Sequence, residues 1–177
     1  MLEIGPTSIR GGYQQLKQSN RGKTEYDYAT WLLPITGGLK AKINQNASQY
    51  AGLMTRKKFY LTGDIVWALA TLLHPEDQRP YVPLTIEDIN NFYYRAINDP
   101  EALLNPDLSK ITDTTSRNEA RKGREAVKSI YNPKSLAAGA EALKTVASEL
   151  NLAEKQLIIA RNSNMARLLS YVRLQIE

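Results

Sequence analysis

The sequence predicts an all-α protein: a helical bundle over residues 39–177, preceded by an extended basic arm over residues 1–38. Three observations carry that prediction. Apolar residues recur at three- and four-residue spacing through most of the chain after Leu39, which is the period of one helix face. Cap residues stand ahead of these runs and prolines stand at several of their ends. No stretch sustains the period-two alternation, bounded by turn residues, that marks a half-buried strand.

The arm is set apart by composition. Gly5, Gly11, Gly12, Gly22, Gly37 and Gly38 supply no packing and cost backbone entropy, so the stretch does not order by itself. Arg10, Lys17, Arg21 and Lys23 are interleaved with Tyr13, Tyr26, Tyr28 and Trp31. Such rings bury area with few rotamers to lose, which suits a segment that docks on something else. A short helix is expected from Thr24 to Leu33, where Pro34 stops it.

The bundle then follows in order. Leu39, Ile43, Ala47, Tyr50 and Met54 form one stripe, on a helix that also carries Lys40 and Lys42. It runs into Arg56-Lys57-Lys58, three cations that complement the dipole of a last turn or offer charge to a partner. Asp64 caps a short segment that is apolar all round and is therefore expected to be the most buried helix, stopped by Pro75. Residues 75–84 hold three prolines and read as a loop. Thr85 and Asp88 frame a capped helix with Ile86, Ile89, Phe92, Tyr93 and Ile97 along one side. Asp99-Pro100-Glu101 and Asn105-Pro106-Asp107 each predict a brief helical turn.

Thr115–Tyr131 is the most informative stretch. Ser116 and Glu119 form a capping box, while Ala120, Val127, Ile130 and Tyr131 make the apolar side. Arg117, Arg121, Arg124 and Lys128 fall at i, i+4, i+7 and i+11, one cationic stripe. A row of unpaired cations repels itself, so it suits an acidic surface or a polyanion. After Asn132-Pro133, Leu136, Ala140, Leu143, Ala147 and Leu150 mark an alanine-rich helix. A last helix is expected through Leu157, Ile158, Arg161, Met165, Leu168, Leu169, Val172 and Ile176.

Composition bounds the function classes. The chain has 177 residues, 42% of them hydrophobic, and no cysteine, which excludes a disulfide framework, a thiolate nucleophile and a cysteine metal site. No apolar run reaches the roughly 18 residues of a membrane span. The opening MLEIGPTSIRGG lacks the regions of a signal peptide, so the expected location is a virion or the cytoplasm. Charge is segregated along the chain. Residues 1–60 hold nine Lys/Arg against three Asp/Glu, residues 61–116 three against nine, and residues 117–177 eleven against six. Two basic ends around an acidic middle point to self-complementary assembly, to a polyanion held by the ends, or to charges that are simply solvated.

No motif names a reaction. Arg21-Gly22-Lys23-Thr24 ends like a phosphate-binding loop, but Lys17 stands where the pattern needs its first glycine and no apolar strand precedes it. His74, the one histidine, lies near Glu76 and Asp77 in a proline-bounded loop, a poor metal set and a better helix end. No catalytic residue, cofactor or metal is expected.

The basic groups remain. Arg10, Lys17, Arg21, Lys23, Lys40, Lys42, Arg56, Lys57, Lys58, Arg117, Arg121, Arg124 and Lys128 suit regular phosphates, with binding driven by counterion release and little base readout. The reading is a non-enzymatic nucleic-acid-binding subunit, with double-stranded DNA as partner and self-association into a coat. A dimeric regulator, with a helix-turn-helix at Asn132-Pro133, and an adaptor for an acidic protein are the alternatives. The arrangement of IRGGYQQLKQSNRGK (residues 9–23) as an arm, followed by helices to the end, resembles the coat proteins of filamentous and rod-shaped archaeal DNA viruses. That resemblance concerns architecture. It implies an arm and helix that wrap the duplex and a helical bundle that faces outward.

Overall fold

The computed structural model describes residues 28–49 and 52–161, with side chains described from residue 36 onward. The described elements are, in order, α1 (Tyr28–Gln49), β1 (Lys58–Leu61), α2 (Asp64–Leu73), β2 (Tyr81–Leu84), α3 (Ile86–Asn98) and α4 (Pro100–Leu104). They continue with α5 (Thr114–Ile130), α6 (Pro133–Glu149), a 3₁₀ turn (Leu152–Glu154) and β3 (Gln156–Ala160). Helix α2 is the hub, packing on α3, α4, α5, α6 and β3. Six of its ten residues are buried, as its uniformly apolar sequence requires. Gly63 caps it at φ 115°, a backbone setting that favours glycine over every other residue.

The chain is mostly helical but not all-α. The correction is a three-stranded mixed sheet in the order β1-β3-β2, with β1 parallel and β2 antiparallel to the central strand. Its strands are four or five residues long, too short to display alternation in sequence. In space the alternation is complete. Leu157 and Ile159 of β3, Val82 and Leu84 of β2, and the half-buried Phe59 and Leu61 of β1 face inward. β2 carries Pro83, which lacks a backbone donor and is tolerated because this is an edge strand. The Leu157–Ile159 segment, expected to open a last helix, is thus the middle of the sheet. The rest of that expected helix, residues 162–177, lies outside the described residues.

Helix α1 also departs from expectation. It passes through Pro34 and across the expected boundary at residue 38, then ends at Gln49 rather than near Met54. An interior proline costs about 3 kcal/mol, so the remainder of the helix must be held by its neighbour. Leu39 and Ile43 are buried, and α1 packs along α6. Asn44 donates to Glu149 at 3.1 Å, and the Lys40 ammonium stands 3.4 Å from the same carboxylate.

The caps fall close to where the sequence put them. Asp88 N–H donates to Thr85 Oγ1 at 3.1 Å and Thr85 N–H donates back to the Asp88 carboxylate at 2.8 Å. Asp99 caps α4, and Asn132 with Ser135 boxes α6. Other local readings fail. Gly63, not Asp64, holds the cap position of α2, and among the described residues no side chain caps that helix. Asp113, not Ser116, caps α5, because its carboxylate accepts the Ser116 N–H at 2.6 Å. Asn105-Pro106-Asp107 forms no helix; Asp107 accepts from Ser109 N–H and turns the chain.

The core lies between α3 and α6, roofed by α2, with Phe92, Ile89, Leu136, Leu143 and Leu69 at its centre. Tyr131 is buried at its edge, and its hydroxyl has no hydrogen-bond partner among the described residues. Burial, with the Asp64 carboxylate nearby, pushes that phenol well above its usual range. An unpartnered buried hydroxyl is a cost, so Tyr131→Phe is expected to stabilise the protein by about 1 kcal/mol. Thermal melting should register a rise of about 2–4 °C; a fall would mean that the hydroxyl has a partner.

Candidate nucleic-acid interface

Helix α5 carries the predicted stripe, but most of its charges are already engaged. Arg117 is half-buried and donates from Nε to the Ile111 carbonyl at 2.8 Å, with Nη2 on the same oxygen. It clamps the loop that leads into its own helix. Lys128 donates to Asn105 Oδ1 at 3.0 Å, and Arg124 donates from Nε and Nη2 to Glu125 Oε1. Arg121 alone of the four is exposed with no partner among the described residues. The stripe is therefore not a row of unpaired cations, which corrects the argument drawn from its spacing.

Free charge collects elsewhere. Arg56, Lys57 and Lys58 are all exposed, and none of their side chains has a hydrogen bond or ion pair among the described residues. Because α1 ends at Gln49, they do not serve a helix dipole. They lead into β1 at the rim of the sheet. Lys40 is tied to Glu149, whereas Lys42 is exposed and without a partner among the described residues. The arm cations Arg10, Lys17, Arg21 and Lys23 lie outside the described residues.

The outward face of the sheet was not legible beforehand. The registers align Tyr60 with Ile158 and Ile158 with Pro83, and set Tyr81 opposite Ala160. Tyr60 and Tyr81 are 59% and 61% exposed, although each could have been turned inward by a one-residue shift of register. Their rings meet over the central strand, edge to face, with centroids 6.4 Å apart and planes at 75°. Lys58 projects from the same face two residues from Tyr60, about 7 Å along the strand.

The remaining candidates have local duties. His74 Nε2 lies 3.0 Å from Asp88 Oδ1, tying the end of α2 to the cap of α3. Expected to meet the last carbonyls of α2 itself, the imidazole leaves them to Arg161, whose Nη2 donates to Ala70 and His74 at 3.2 and 3.0 Å. Asp77 receives Arg79 Nε at 2.9 Å, and that bond holds its carboxyl down to about 2. No group of three metal-ligating side chains occurs among the described residues. A cleft of about 480 Å³ opens between α2 and α5, lined by Trp67, Gln78, Lys122 and Arg161. A Lys122–Glu119 ion pair at 2.8 Å uses part of its polar lining. On either side of Asn132-Pro133, α5 packs mainly on α2, and α6 on α1 and α3. The two helices do not form the tightly packed pair that a helix-turn-helix needs.

Comparison of the chain with protein-family models, curated proteins and solved structures yields no match in any of the three. Among the described residues, no helix is long and apolar enough to cross a membrane.

Proposed function

We propose that this chain is a non-enzymatic structural subunit that binds nucleic acid through its phosphates and coats it by self-association, as a virion coat or nucleoprotein does. The observation that carries the reading is Arg56-Lys57-Lys58, three exposed cations with no partner among the described residues, beside an exposed aromatic sheet face. Charges engaged at home, like those of Arg117 and Lys128, have less to gain from a phosphate. Free ones release counterions from the polyanion and gain affinity without reading sequence. The acidic middle segment against two basic ends supports contact between copies, since a basic end of one subunit suits the acidic segment of another.

Binding is expected to be broad in sequence and steep in salt. If four to six phosphates are neutralised, log K falls with log salt at a slope of about −4 to −5 on duplex DNA, and about −3 to −4 on a single strand. Fluorescence anisotropy across a salt series measures it, with light scattering to follow assembly. A flat salt response, or tight discrimination between unrelated sequences of equal length, would overturn the reading.

A further inference from the structure

We propose that the outward face of the sheet is a stacking platform for single-stranded nucleic acid. Tyr60 and Tyr81 take bases, while Arg56, Lys57 and Lys58 follow the backbone. This rests on the nucleic-acid reading above and adds the kind of strand. Phosphate contacts alone do not distinguish strands. Aromatic faces do, because the bases of a duplex are stacked on one another and offer only their edges and their phosphates. In a single strand each base has a π-face to give, and a tyrosine accepts any of them.

The geometry fits this occupant. The two rings touch edge to face at 6.4 Å, an arrangement that leaves π-surface open for a flat group. Pro83 and Ile158 complete an apolar floor across all three strands. Charge is unequal across that floor. The β1 edge carries Arg56, Lys57 and Lys58 with no acid among them, whereas Arg79 near β2 is neutralised by Asp77. A strand lying along β1 with its bases turned towards β2 therefore satisfies both halves of the surface. A second copy of this chain would bring its own cations against these, which disfavours self-packing through the face.

The test uses the full chain, a labelled oligothymidylate and a labelled duplex of the same length, in anisotropy titrations at one salt concentration. The variants are Tyr60→Thr and Tyr81→Thr, which keep strand propensity but lose the ring, with Tyr60→Phe and Tyr81→Phe keeping the ring. The single strand is expected to bind more tightly than the duplex. Each threonine variant should lose about tenfold on the single strand, less than about twofold on the duplex, where phosphates supply the affinity, and the phenylalanine variants should bind as the parent does. Thermal melting separates lost rings from lost fold, because the phenylalanine pair also reports ring-dependent binding in a protein whose strands are undisturbed. Unchanged single-strand affinity in the threonine variants overturns the platform, as does a preference for duplex. So does a change of oligomeric state in those variants with single-strand affinity intact, which would assign the face to a second copy. Each of these leaves phosphate binding standing, whereas failure to bind either strand at low salt overturns the functional reading itself.

Discussion

Phe92→Ala is expected to remove about 3–5 kcal/mol of stability, the cost of deleting a large ring from a closed core. Phe92 is fully buried in α3, and the pairing of α3 with α6 is the most extensive helix contact in the fold. Phe92 belongs to the same buried cluster as Ile89 and Ala96 of its own helix and Leu136 and Leu143 of α6, a closed core in which little can collapse into the space the ring leaves. A domain holds only about 5–15 kcal/mol in total, so the variant loses about a fifth of it or more. Urea denaturation of parent and variant measures the difference. Tyr94→Ala is the control, because Tyr94 lies two residues away on the same helix but is exposed, and should change stability by no more than about 0.5 kcal/mol. Similar losses in both variants would mean that α3 does not bury the face assigned to it.

Local signals in this chain were legible and non-local ones were not. Thr85 with Asp88, Asp99 with Pro100, and Asn132 with Pro133 set helix starts within a few residues of themselves, so their chemistry can be read directly. The strands are another matter. Lys58-Phe59-Tyr60-Leu61 becomes a strand because Gln156–Ile159, almost a hundred residues later, pairs with it. Gln156-Leu157-Ile158-Ile159 fits one face of a helix as well as the centre of a sheet, and only its partners decide. Pro34 misled in the opposite direction. A proline is a strong stop, but here the helix continues, and beyond the proline Leu39 and Ile43 have a groove of α6 to fill. The site divides in the same way. The spacing of Arg117, Arg121, Arg124 and Lys128 was correct as a helix face, but nothing in that spacing could reveal that the Ile111 carbonyl and Asn105 wait for two of them. Tyr60 and Tyr81 carried no signal at all until the sheet register gave them a shared outer face.

Two triple variants should therefore behave in opposite ways. Arg56→Gln, Lys57→Gln and Lys58→Gln together remove three exposed side chains that hold nothing in place among the described residues, so thermal stability should stay within the range of surface changes, about 0.5 kcal/mol. Nucleic-acid affinity should fall by about a hundredfold at 0.1 M salt, and the slope of log K against log salt should shrink by about 2 to 3. Arg117→Gln, Arg121→Gln and Arg124→Gln together have the same charge change. Glutamine keeps helix propensity almost constant, but it cannot reproduce the two-pronged Arg117 contact that closes the loop onto Ile111. A half-buried carbonyl that loses a charged donor costs about 1–3 kcal/mol, so this variant should melt earlier while keeping most of its affinity, since of the three only Arg121 lacks a partner among the described residues. Melting and salt titrations on the two proteins decide between the surfaces. Should the stripe variant lose affinity and the triplet variant keep it, the polyanion lies along α5 and the sheet rim is only solvated charge.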